Sequence, residues 1–331
     1  MTSNFPKTSA KTENSEKAGN AQSAENTADT NSEVDNRVHR FISNDLTLRA
    51  AVVNSTAVVR EMQVLQKTYP LPTVAVGRCM TGALLMAAQL KNGQSVGVHM
   101  RGNGALGTIY AEAHFEGDVR GFTHSPQYQP PNYNEGLSLH KAVGNGTLTV
   151  SRQQPFQKQP HYGTVDLVNG EVGDDIAHYL NQSHQIRSLV ALGVSLSQSG
   201  SVEAAGGLLL EVMPGVEDEI VDLVMKNRNE SRVDISQMIK EGFSPQQILE
   251  PLLKGIPFSS LDHPFTVRYS CPCDKERVLR AIEILGVKDL TEMVDDGEPV
   301  PVVCQMCGKP YDVTVSDMKD IRDRLHRNSL N

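Results

Sequence analysis

Four of the five cysteines crowd into the last fifth of this 331-residue chain, as Cys271-Pro-Cys273 and Cys304-Gln-Met-Cys307, with thirty residues between the pairs. Two close pairs of thiols supply four soft ligands, a set suited to tetrahedral zinc with no open position. Cys271, Cys273, Cys304 and Cys307 are therefore the expected Zn2+ ligands. A shell closed by four thiolates leaves no vertex for water, so hydrolytic metal catalysis is not expected. Gly308 follows the second pair, where free φ lets backbone amides approach the sulfurs of a tight turn. The odd cysteine count does not fit a secreted disulfide framework. The fifth, Cys79, lies in an apolar stretch and reads as an inert core thiol.

Other patterns carry less chemistry. Gly102-Asn-Gly-Ala-Leu-Gly107 matches the GxGxxG spacing, but the strand-like TIYAEAHF follows where a dinucleotide site needs a helix. It is read as a hairpin turn. Histidines are scattered, and His263, eight residues before Cys271, is not needed by a shell of four thiolates. Asp295-Asp296 before Gly297 reads as turn chemistry rather than acid–base machinery. No catalytic residues are assigned, and the chain is not read as an enzyme.

The elements that must position the cysteines can be read in part. Asp274 is placed to cap a helix over KERVLRAIEIL, stopped by Gly286. A second helix follows with Leu290, Met293 and Val294 inward. PVPVV and YDVTV then bracket Cys304–Cys307 as a hairpin. This C-terminal unit, residues 258–331, has few large apolar side chains and needs a metal to close it. Upstream, residues 216–257 form a helical linker of short amphipathic pieces cut by Gly242, Pro251, Gly255 and Pro257. Each piece is marginal alone and depends on packing against something else.

Residues 37–215 have the order helix, sheet, helix, strands, which predicts an α+β domain with antiparallel sheet. Residues 46–66 carry both helical and strand-like spacings, so either element is open there. Residues 73–90 read as a buried small-residue helix. Alternating runs separated by RGNG, VGNG and VNGEVG favour hairpins, and 172–187 reads as a helix. Residues 1–36 are a polar tail: Ser, Thr, Asn and Gln supply 17 of the 36 positions. That composition predicts disorder, with no apolar region of a signal peptide.

Composition excludes further classes. With 31 Lys+Arg against 39 Asp+Glu the net charge is −8, a poor basis for nucleic-acid binding. The chain reads as having no apolar run of about 18 residues to span a bilayer, so no membrane partner is expected. Trp is absent and aromatics are 5%, so stacking platforms are thin.

At this point the chain resembles a known family, the heat-shock protein of thirty-three kilodaltons, a redox-regulated holdase chaperone of bacteria. The CxC and CxxC spacing carries the resemblance. Arg120-Gly-Phe122, Val143-Gly-Asn-Gly146, Tyr162-Gly163, Tyr179-Leu-Asn-Gln-Ser183 and Ala205-Gly-Gly-Leu-Leu-Leu-Glu-Val-Met-Pro214 agree, in matching order from about Arg37 to Leu325. The family usually has Ser-Glu-Gln where this chain has Ser183-His184-Gln185.

The resemblance implies a three-part switch of α+β domain, metastable linker and zinc domain. Reduced and zinc-bound, the family's protein is inactive. Oxidant with unfolding stress forms disulfides, releases zinc, and unfolds linker and zinc domain to hold unfolding clients without ATP. A homodimer when oxidised, cellular thiol reductants as partners and a cytoplasmic location are implied likewise. Neighbouring sulfurs are expected to pair, Cys271–Cys273 and Cys304–Cys307. The second should form first, because Pro272 strains the smaller CxC ring. Two rival readings are a zinc-ribbon recruitment module and a thiol oxidoreductase. The first is disfavoured by ten Lys+Arg against twelve Asp+Glu from His263 onward. The second is disfavoured because Cys304–Cys307 lies between two strand-like runs.

Overall fold

The computed structural model describes residues 35–131, 138–231, 233–261 and 263–329. The tail expectation therefore lies outside the described residues, except at Asp35 and Asn36.

The chain opens with an antiparallel hairpin of β1 (Arg37–Ser43) and β2 (Leu48–Asn54), followed by α1 (Thr56–Gln66). The ambiguous stretch 46–66 thus resolves into strand and then helix. The switch is made at Asn54, whose side-chain oxygen accepts from Thr56 N at 3.1 Å and satisfies a free donor of the first turn. Next comes α2 (Pro70–Ala87), with proline in its first turn. This helix is long and apolar enough to cross a membrane by length and composition alone, contrary to the expectation that no such run exists. It is 89% buried inside the fold, so it serves as the core helix.

Beyond it lie β3 (Ser95–Gly102), β4 (Thr108–His114), β5 (Asp118–Thr123), α3 (Leu139–Val143), β6 (Gly146–Gln153) and β7 (His161–Asp166). The glycine-rich 102–107 segment joins β3 to β4, which pair antiparallel. Then come α4 (Gly173–His184) and the long hairpin of β8 (Ser188–Leu196) and β9 (Val202–Val212).

The linker supplies α5 (Asp218–Ser231), α6 (Ile235–Lys240) and α7 (Pro245–Leu249). Three very short strands follow, β10 (Phe258–Ser260), β11 (Phe265–Thr266) and β12 (Arg268–Tyr269). The C-terminal unit contains α8 (Lys275–Glu283), α9 (Gly286–Asp296), β13 (Val300–Val303), β14 (Pro310–Val313) and α10 (Val315–Ser329). Helix α10 lies beyond the elements read from the sequence.

Two sheets result. The first has the order β10-β1-β2-β9-β8 with β11 also on β1, and the second β12-β5-β4-β3-β6-β7. Helix α2 packs between them, burying Val76, Met80, Leu84 and Ala87 with Ile109, Ala111, Val98 and Leu209. Burial alternates along β4, as a strand with one covered face requires.

The first sheet has a second apolar face. Phe41, Leu48, Ala50, Val52, Leu208 and Leu210 are all buried there, under Val224, Ile235, Ile248, Leu249, Leu252 and Ile256 of the linker. Helix α6 comes close because Gly193 and Gly206 stand opposite each other in the β8–β9 register. A Cβ on Gly193 would lie 2.7 Å from the backbone nitrogen of Ser236. The short, breaker-rich helices thus find their stability on the sheet rather than in themselves.

The stretch 258–269 is paired with strands from earlier in the chain. Residues 258–269, assigned above to the zinc unit, add strands to the chaperone sheets: β10 and β11 pair with β1, and β12 runs parallel to β5. Strands of two or three residues carry no hydrophobic period, so nothing local marks them.

Candidate metal centre

The Sγ atoms of Cys271, Cys273, Cys304 and Cys307 all lie within 4.8 Å of one another, and no disulfide joins them. Contacts cross between the two motifs, Cys271 to Cys304 at 3.8 Å and Cys273 to Cys307 at 3.3 Å. A tetrahedron of Zn–S bonds of about 2.3 Å has edges of about 3.8 Å, so the cage and its donor set fit zinc. His263 is exposed and outside this cluster.

Local structure explains the gathering. Asp274 caps α8 by accepting from Arg277 N at 2.7 Å, which turns the chain sharply after Cys273. The second pair forms the turn of the β13–β14 hairpin, closed by Cys304 N donating to Lys309 O at 2.9 Å and Gly308 N to Cys304 O at 2.8 Å. Gly308 has φ +70°, and a Cβ there would stand 2.5 Å from Leu65 O. Both the left-handed backbone and the close approach require glycine.

Other groups reach the sulfurs. The Tyr311 hydroxyl lies 3.1 Å from Cys273 Sγ and 2.9 Å from its carbonyl oxygen. Partial burial opposes ionisation of Cys273, but the Tyr311 hydroxyl and the neighbouring thiols outweigh it and bring the thiol down to about 7. Burial pushes Cys271 and Cys307 up. Arg120 holds Glu112 at 2.6 Å and directs its other nitrogen to Cys271 Sγ at 3.8 Å. Such outer contacts orient ligands as much as the ligands orient themselves. The sequence reading missed Tyr311, Tyr269 and Gln66, and Arg120 surfaced only within a matching Arg-Gly-Phe.

The unit that carries the cysteines has a small core, formed by Val278, Ile282, Leu290, Val294, Val313, Met318 and Ile321. Leu290 and Val294 face inward as the sequence indicated, with Met293 half-buried. Cys79 is fully buried in α2, and burial pushes its thiol up to about 12. Burial keeps it protonated and out of reach of solvent, as in an inert core thiol.

A cleft of about 520 Å³ runs beside Cys304, lined by Leu65, Gln66, Phe122, His124 and Val303 among others. It lies along the seam between α1, β5 and the cysteine turn.

Comparison with known proteins agrees with this architecture. A family profile described as Hsp33 protein matches residues 36–314. The 33 kDa chaperonin of Geobacter sulfurreducens is 37% identical over 287 residues, covering 86% of this chain and 94% of its own. The 33 kDa chaperonin of Bacillus subtilis is 34% identical, covering 87% and 98%. The solved structure of the 33 kDa chaperonin (heat shock protein 33 homolog) of Thermotoga maritima superimposes with a TM-score of 0.78 at 26% identity, covering 87% of this chain and 98% of that one. With its mixed α/β fold, antiparallel sheets and gathered C-terminal cysteines, the chain belongs to the Hsp33 family of chaperones.

Proposed function

We propose that this protein is a redox-regulated, ATP-independent holdase, silent when its four cysteines are reduced and bind zinc and active once they are oxidised. The carrying observation is the second apolar face of the first sheet. It is covered by a linker whose helices, of 14, 6 and 5 residues, are too short to be stable alone. Uncovering that face and the linker's own Ile, Leu and Val side chains gives an unfolding protein a large apolar surface to bind.

The cysteine unit is the trigger. Bound zinc supplies folding free energy, on the order of 10–16 kcal/mol in zinc-finger peptides. Two neighbouring thiolates give two electrons to an oxidant such as peroxide; one S–S bond forms, and the peroxide leaves as two hydroxide ions. Thiolates joined in disulfides are lost as ligands, and the seven-residue core named above has little else to hold it. Cys304–Cys307 is expected first and Cys271–Cys273 second, since Pro272 restricts the shorter loop.

Unfolding polypeptides are the partners this reading requires, with dimerisation on oxidation, cellular thiol reductants for reversal and a cytoplasmic setting as its further elements. The test is light scattering of a thermally unfolding client with reduced, zinc-loaded protein against protein treated with peroxide under mild heat. Suppression by the oxidised form alone, without ATP, supports the reading. Equal suppression by both forms removes the redox switch from it.

A further inference from the structure

We propose that Gln66, at the end of α1, is a positioning residue of the cysteine switch that pins the Cys304–Cys307 turn to the chaperone domain. The inference rests on the redox reading above and deepens it. The two halves of the cysteine site are attached differently. Cys271 and Cys273 continue from β12, which is held by main-chain pairing: β12 runs along β5, and Ser270 N donates to Val119 O at 3.0 Å. Arg120, also on β5, adds its contact to Cys271 Sγ.

The Cys304–Cys307 turn is attached through the carbonyl oxygen of Met306, inside the CxxC motif. The side-chain amide of Gln66 donates to that oxygen at 2.6 Å. It also donates to Gly121 O of β5. A primary amide has two N–H groups, and here they reach one carbonyl in the sheet and one in the cysteine turn, with the Tyr269 hydroxyl a longer third acceptor at 3.4 Å. The Tyr269 hydroxyl donates to the same Met306 oxygen. Gly308 then fits against Leu65 O, the residue before Gln66. One amide therefore ties α1, β5 and the cysteine turn together.

The consequence is that the chaperone domain sets how readily the Cys304–Cys307 half comes free. Methionine at position 66 keeps the length of the side chain but has no N–H, so two carbonyls lose a donor. One net hydrogen bond of about 1 kcal/mol corresponds to about a fivefold change in the opening equilibrium.

The experiment uses the full-length, reduced, zinc-loaded chain and follows N-ethylmaleimide labelling of each cysteine by mass spectrometry, with no oxidant present. Gln66→Met should label Cys304 and Cys307 about fivefold faster than wild type, and Tyr269→Phe should act in the same direction. Cys79, buried in α2, is the internal control for loosening of the chaperone domain as a whole, and its rate should not change. Transfer of zinc to a colorimetric chelator should accelerate with Cys304 and Cys307. Wild-type labelling of Cys304 and Cys307 in Gln66→Met would overturn the proposal, as would a parallel rise at Cys79. Because labelling needs neither oxidation nor client binding, such a failure is distinct from a wild-type protein that peroxide does not activate.

Discussion

The chaperone domain and the cysteine unit bury apolar surface on very different scales. Forty buried apolar side chains, among the described residues, form the core around α2, whereas seven form the core beneath the cysteine cage. Large cores hold their fold by burial alone, while units of this small size need a staple. Between them lies the linker, whose buried side chains are held only as long as they rest on the first sheet. The comparison teaches that stability is graded along the chain. On the proposed function, the part that oxidation removes sits next to the part whose loss uncovers a binding face.

The largest expected effect tests the staple. Replacing Cys304 and Cys307 together by serine should remove stoichiometric zinc and unfold residues from about 270 onward, a loss on the order of 10 kcal/mol. Metal analysis with an NMR amide spectrum checks this. Full zinc occupancy in that variant would show that the small core does not depend on the four sulfurs.

Next comes the seat of the linker. Gly193→Ala places a methyl against the backbone of Ser236 in α6, which cannot yield as a side-chain tip would. Overpacking of this kind costs about 1–3 kcal/mol. The reduced variant should therefore suppress client aggregation in part without oxidant, with the chaperone core unchanged by Cys79 labelling.

The cage itself was legible because its information is local. Two cysteine pairs at fixed spacing, an aspartate before a helical run and a glycine after a turn all act within a few residues of themselves. The groups around the cage were not legible. Gln66, Arg120 and Tyr269 meet the cysteine turns only through the packing of α1, β5 and β12, across up to 240 residues of chain. The same holds for β10 to β12, whose identity comes from the edges they join. The membrane reading shows the converse limit: α2 satisfies a bilayer by composition, and only the sheets on either side show why it is apolar.

A smaller effect sharpens the comparison at the sulfurs. Tyr311→Phe removes a hydroxyl donor from Cys273, and loss of such an outer contact should weaken zinc binding about tenfold. Competition with a chelator of known affinity measures it. An unchanged affinity would reduce Tyr311 to packing.

The smallest effect concerns α10. Lys275 and Thr314 donate to the Asp317 carboxylate and hold its pKa at about 2, below the ordinary 3.8. A depressed folded pKa gives stability that is present above the unfolded value and lost as pH falls through about 2. Asp317→Asn should cost about 0.5 kcal/mol after solvent screening, and the cost should stay constant between about pH 7 and pH 5. Thermal melts of the two proteins across that range check both statements.

The central claim is that oxidation of the cysteine unit uncovers the linker face of the first sheet while the α2 core stays folded. Hydrogen–deuterium exchange of the reduced, zinc-loaded chain against the peroxide-treated chain measures this region by region. The account predicts loss of protection over Asp218–Ser231, Ile235–Lys240, Pro245–Leu249 and residues 270–329, with Pro70–Ala87 and the β8–β9 hairpin unchanged. Retained protection across the linker in a fully oxidised, client-holding protein would contradict it.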